Sequence, residues 1–212
     1  MVGFRGWLAY GDSLDIRQPA MHSILTITGS PSAVSRSTLL AQTLDAHLEQ
    51  AGYATRSLNV RDLPAQALLS ADTTDAHIAA ALRSLAPVDA VIIATPIYKA
   101  AYSGILKTFL DLLPQTALQG KVVLPLATGG SPAHLLAVDY ALRPVLNALG
   151  ARHILSTVYA ADAQITGDSV TGYQLSQDIA ARLLGGLREL NASLGVRVPR
   201  IQPVEVRERL YA

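Results

Sequence analysis

Three short segments concentrate the residues able to do chemistry. The first, Gly29-Ser30-Pro31-Ser32-Ala33-Val34-Ser35-Arg36-Ser37-Thr38, runs straight into a helical pattern. Helix N-termini carry unpaired N–H groups and the positive end of the dipole, and five hydroxyls with the Arg36 guanidinium can join them around a phosphate. A dinucleotide fingerprint needs three glycines where this segment has one, and a Walker A loop needs a lysine where none precedes Lys99. A monophosphate held by Ser30, Pro31, Ser35, Arg36, Ser37 and Thr38 is the chemistry that fits; the alternative is a serine-rich helix cap with solvated hydroxyls.

The second segment, Thr95-Pro96-Ile97-Tyr98-Lys99-Ala100-Ala101-Tyr102-Ser103-Gly104, offers a stiff turn at Pro96 and a wall for a planar heterocycle at Ile97, Tyr98 and Lys99, or else a buried connection whose tyrosines are core. The third, Ala127-Thr128-Gly129-Gly130-Ser131-Pro132, lets the backbone approach a ligand closely. N–H groups from Thr128 to Ser131 would then bond the polar edge of a flavin pyrimidine; a tight turn without ligand is the alternative.

These segments must be carried by regular elements. Ile24–Thr28, Thr55–Val60, Asp89–Ala94, Lys121–Ala127 and His153–Ala160 read as strands, the third and fourth apolar almost throughout, as in parallel sheets buried on both faces. Helical spacing follows at Leu39–Leu48, Ala76–Leu85, Ser103–Leu113, Ala133–Leu149 and 174–190. Five alternations without repeat or low-complexity linker predict one doubly wound α/β domain over residues 21–194, in the flavodoxin-like order 2-1-3-4-5 or the Rossmann order. In the first order, the loops after strands one, three and four meet at the switch point, the position at which flavodoxin-like proteins hold FMN. Residues 1–20 read as a leader preceding Met21, or as an arm that packs Phe4 and Trp7 on a neighbour, and 195–212 as a surface tail or an arm.

Composition narrows the function further. The chain of 212 residues has no cysteine, so a disulfide framework, a cysteine nucleophile, a thiolate zinc site and a protein-held iron–sulfur cluster are excluded, and redox chemistry must use a borrowed carrier. The net charge of +1 comes from interspersed groups and argues against nucleic-acid binding. Apolar runs such as Val122–Ala127 fall far short of a membrane span, and residues 1–20 do not read as a secretory signal, so the expected compartment is the cytoplasm. His22, His47, His77 and His153 lack metal-ligand spacing, and His134 reads as a helix-start residue.

Taken together, Gly29-Ser30-Pro31 with Ser35-Arg36-Ser37, the block Ala94–Gly104, and Lys121–Gly130 extending through His134–Leu142 resemble the NADPH-dependent FMN reductases, over roughly residues 22–192. The nearest likeness is to the reductase component of two-component alkanesulfonate monooxygenase systems. Ser32 stands where such enzymes often carry arginine, and Arg36 would compensate. The resemblance implies FMN as a dissociable substrate reduced by NADPH through hydride transfer from nicotinamide C4 to flavin N5, with no side-chain acid or base required. It also implies delivery of reduced FMN to the monooxygenase, and a homotetramer or dimer.

Pro144 lies inside the predicted helix 133–149 and has no N–H for the carbonyl of Tyr140, so a kink or one wide turn is expected there. The resemblance assigns Tyr140 to a π-helix at a subunit interface that governs flavin use; simple interface packing is the other reading. Two further functions remain open: a quinone, azo-dye or chromate reductase with resident FMN, and a flavodoxin-like electron carrier. The near-neutral charge balance disfavours the carrier, since small carriers commonly dock through a strongly charged face. No arginine can be assigned to a 2′-phosphate, so NADPH and NADH are not distinguished by sequence.

Overall fold

The computed structural model describes residues 22–168 and 172–195; the leader 1–20, and the tail beyond Gly195, lie outside the described residues. β1 (Ser23–Thr28) pairs in parallel with β2 (Ala54–Asn59) on one side and with the central strand β3 (Ala90–Tyr98) on the other. Two-residue β4 (Ala101–Tyr102) folds back antiparallel on the end of β3, and β5 (Val122–Gly129) lies parallel along β3's other edge. The fifth lane is made of two short strands, β6 (His153–Ile154) and β7 (Val158–Ala161), both parallel to β5. The expected order 2-1-3-4-5 is therefore found, within a sheet of seven strands in which one lane is broken and one hairpin is added.

Strand alternation sends side chains to two cores. Leu25, Ile27, Val91, Ile93 and Val123 pack with Ala67 and Leu68 of α2 (Ala65–Leu69), α3 (Ala76–Arg83), α4 (Gly104–Leu110) and α5 (Arg143–Ala148) on one face. Ile24, Ile92, Ala94, Leu124 and Leu126 pack against α1 (Arg36–Gln50) and α6 (Gln177–Ser193) on the other. Burial on both faces explains why β3 and β5 read as unbroken apolar runs. A separate antiparallel pair, β8 (Ile165–Asp168) and β9 (Gly172–Leu175), connects β7 to α6 and was not predicted from sequence. Among the described residues, no helix is long and apolar enough to cross a membrane.

Two elements depart from the sequence reading for identifiable reasons. The fifth strand breaks at Leu155–Thr157, where the Leu155 N–H keeps a bond to the Val123 carbonyl at 2.8 Å and polar side chains meet the neighbouring peptide groups. Glu189 accepts from the Ser156 N–H at 3.3 Å, and the Arg143 guanidinium donates to the carbonyls of Ile154 and Leu155, both at 3.4 Å. The long helix expected over 133–149 changes pitch within its length: a tight 3-10 turn at Pro132–Leu135, a π-turn at Val138–Leu142, then α5. The Arg143 N–H reaches back five residues to the Val138 carbonyl, the wide turn expected from Pro144.

One buried carboxyl sits under the sheet. Asp45 of α1 accepts from Thr26 Oγ1 at 2.6 Å and Ser57 Oγ at 3.1 Å, joining helix to β1 and β2. Burial pushes its pKa up from 3.8 to about 6, against the two hydroxyl bonds that lower it. The folded chain therefore holds this proton more tightly than the unfolded chain. The resulting stability is fully present below about pH 4 and lost as pH rises through about 6, a difference of about 3 kcal/mol. Asp45→Asn is expected to remove this pH slope and to be more stable than wild type above pH 7, as read by denaturant unfolding between pH 4 and 8; an unchanged slope would refute the assignment.

Candidate functional site

The parallel register brings the three chemically rich segments to one edge. Thr28 of β1 lies opposite Ala94, and Pro96 of β3 lies opposite Thr128 of β5, so the segments leave the sheet side by side. The Gly29 N–H donates to the Ala94 carbonyl at 2.8 Å, continuing the ladder into the first loop.

In that loop Ser30 and Ser37 are buried, Pro31 is exposed, and Ser35, Arg36 and Thr38 are half-buried. Ser35 caps α1 by accepting from the Thr38 N–H, and its hydroxyl lies 3.0 Å from that of Ser37. Among the described residues, the N–H groups of Ala33, Val34 and Ser35 have no acceptor, and those of Arg36 and Ser37 open the helix. The Arg36 Nε is buried without a partner, while its terminal nitrogen lies 3.9 Å from the Asp162 carboxylate. Free N–H donors and an unsatisfied guanidinium nitrogen form a cup suited to an anion such as the FMN phosphate.

The second segment is more ordered than expected. β3 extends through Pro96 and Ile97 to Tyr98, and Lys99 and Ala100 form a two-residue turn with φ of 51° and 61°. Left-handed backbone at both central positions is the type I′ hairpin geometry, normally given to Asn-Gly, and here it costs strain. It exposes Tyr98 and Lys99 at the tip, whereas the Ile97 side chain turns into the core beside Phe109. Tyr98 and Lys99 are therefore placed to meet a planar ring, whereas the Ile97 side chain is not, a correction to the sequence reading.

The third segment carries Thr128 and Gly129 buried at the end of β5, with Gly130 exposed and Ser131 half-buried. Among the described residues, the N–H groups of Gly130 and Ser131 have no acceptor and are free to donate. Gly129 is required by close approach: a Cβ there would lie 2.8 Å from the Tyr159 hydroxyl and 3.0 Å from His134 Nδ1.

Tertiary contacts add residues to which sequence gave no site role. Ser103, foreseen only as a helix cap, bonds the Gly29 carbonyl through its hydroxyl, caps α4 at Leu106, and donates its N–H to Thr95 Oγ1 at 3.0 Å. One serine thus ties the second loop to the first. Gly29 is held to glycine by the same packing, since a Cβ would lie 2.5 Å from Leu106 Cβ. Tyr140 sits in the π-turn and is 79% exposed, with exposed Leu135 and Leu136 preceding it. Ser103→Ala is expected to cost about 1–3 kcal/mol in unfolding free energy through the lost cap and the lost bond to Gly29. Gly29→Ala is expected to cost at least as much by overpacking against α4, and denaturant titration of both variants checks the pair.

The family model described as NADPH-dependent FMN reductase matches residues 22–165. An FMN reductase (NADPH) from Pseudomonas putida is 43% identical over 190 residues, covering 89% of this chain and 96% of the relative. One from Escherichia coli is 49% identical over 142 residues, covering 67% of this chain and 74% of the relative. Among solved structures, the apo form of an NADH:FMN oxidoreductase is 43% identical with a TM-score of 0.73, covering 81% of this chain and 89% of that one. Matched by the family model over residues 22–165 and by a relative 43% identical across most of both chains, the chain belongs to the NADPH-dependent FMN reductase family.

Proposed function

We propose that this NAD(P)H-dependent FMN reductase uses FMN as a dissociable substrate and passes the reduced flavin to an FMN-dependent monooxygenase that desulfonates alkanesulfonates in sulfur acquisition. FMN supplies the hydride acceptor, taking a hydride from the nicotinamide. The chain's own part is to bind and orient. In this reading Ser30, Pro31, Ser35, Arg36, Ser37 and Thr38 hold the phosphate, and Pro96, Tyr98 and Lys99 form the ring wall. Thr128, Gly129, Gly130 and Ser131 provide the donor edge. The observation that carries it is the unpartnered Arg36 Nε beside the free N–H groups of the first loop.

The exposed apolar side chains Tyr98, Leu135, Leu136 and Tyr140 support assembly of copies, as dimer or tetramer, through the face beside the β3–β4 hairpin. In this reading Tyr140 in the π-turn controls flavin release across that face. NADPH is favoured as donor by the names of the two curated relatives, although the solved relative is named for NADH. A cysteine-free chain drawing on pyridine nucleotide fits the cytoplasm.

The purified protein is expected to be colourless, to oxidise NADPH only when FMN is added, and to support sulfite release from an alkanesulfonate when the monooxygenase is present. Flavin that stays bound through gel filtration, with quinone reduced in the absence of added FMN, would overturn the reading. Arg36→Met is expected to weaken FMN binding roughly 10- to 100-fold, the worth of a charge-assisted bond, and to leave riboflavin binding unchanged. Tyr140→Ala is expected to change flavin release and steady-state turnover; stopped-flow rates equal to wild type would remove Tyr140 from the mechanism.

A further inference from the structure

We infer that Tyr159, on β7 and outside the three loops, is a positioning residue for the flavin: its hydroxyl holds the Gly129–Ser131 loop in the shape that presents its donor edge. The inference rests on the reading of that loop as the pyrimidine edge of the site. Tyr159 is 4% exposed, and its hydroxyl donates to the Ser131 carbonyl at 2.5 Å. The same carbonyl accepts from the His134 N–H at 3.0 Å, so two donors from different elements fix one peptide plane. The Ser131 hydroxyl is also engaged, accepting from the Ala133 N–H at 3.3 Å.

The consequence is selective. The Ser131 carbonyl and hydroxyl both accept inside the protein, while the N–H groups of Gly130 and Ser131 have no acceptor among the described residues. A loop fixed through its carbonyl presents those donors without paying to order them when a ligand binds. Gly129 makes the clamp possible, because its missing Cβ is what lets the Tyr159 hydroxyl approach within 2.8 Å of that position. Tyr159 is itself anchored, since the parallel pairing of β7 with β5 sets it opposite Ala127, and Arg182 of α6 donates to its carbonyl at 3.5 Å. Burial and the nearby Asp162 carboxylate push the phenol's pKa up, so it stays a donor at neutral pH.

Tyr159→Phe keeps the ring and removes only the clamp. FMN and riboflavin dissociation constants, measured by flavin fluorescence quenching, are both expected to rise about three- to ten-fold, by the same factor, because the ring edge and not the phosphate loses its partner. The near-ultraviolet absorption band of bound flavin is expected to shift with them. A tyrosine that only packed β7 would lower the melting temperature and leave both constants and the band unchanged, and that result overturns the inference. A loss confined to FMN overturns it as well. Gly129→Ala, which drives a methyl into the Tyr159 hydroxyl and His134, separates the two levels. If it weakens both flavins while Tyr159→Phe does not, only the clamp is wrong; if it weakens neither, the loop does not bind the flavin edge and the clamp falls with it.

Discussion

The structure depends on the level at which three parallel strands end. β3 lies between β1 and β5, and the backbone ladder keeps Thr28 beside Ala94 and Pro96 beside Thr128. Because parallel pairing fixes register along the whole strand, a slip of one residue would move every core side chain to the opposite face. The hydrophobic contents of the two cores thus hold the loops level, and the loops inherit a precision that their own sequences do not supply. Ser103 then converts proximity into attachment by bonding the Gly29 carbonyl from the start of α4.

Around the site the polar backbone is divided unevenly. Carbonyls of Gly29 and Ser131 are engaged by Ser103, Tyr159 and His134, while the N–H groups of Ala33, Val34, Ser35, Gly130 and Ser131 have no acceptor among the described residues. Such a division favours ligands rich in acceptors, which a phosphate and a flavin pyrimidine both are. Strain is placed accordingly: Lys99 and Ala100 adopt left-handed backbone at the hairpin tip, where Tyr98 and Lys99 are held outward. The π-turn is a second local irregularity, and it leaves Tyr140 exposed at a face already rich in apolar side chains.

Much of this was legible from residue order. Unbroken apolar runs marked β3 and β5, Gly29-Ser30-Pro31 marked the first loop, and Pro144 marked a wide turn, because each rests on a local rule of pattern or backbone chemistry. The break in the fifth lane was not legible, since His153–Ala160 reads as continuous strand and only Arg143 and Glu189, distant in sequence, satisfy the exposed peptide groups. Ile97 was read as part of a ring wall, and its side chain lies in the core because β3 continues four residues further than its apolar run suggested.

Sequence by itself determined the class of sheet, the three chemically rich loops and the need for a borrowed electron carrier in a chain without cysteine. Tertiary structure alone decided that Tyr159 clamps the glycine loop, that Ser103 joins the first loop to the second, and that Asp45 titrates beneath the sheet. The division has one physical cause. Periodicity and turn chemistry act over a few neighbouring residues, whereas a hydroxyl's partner and a carboxyl's burial are set by elements that meet only after the chain has folded.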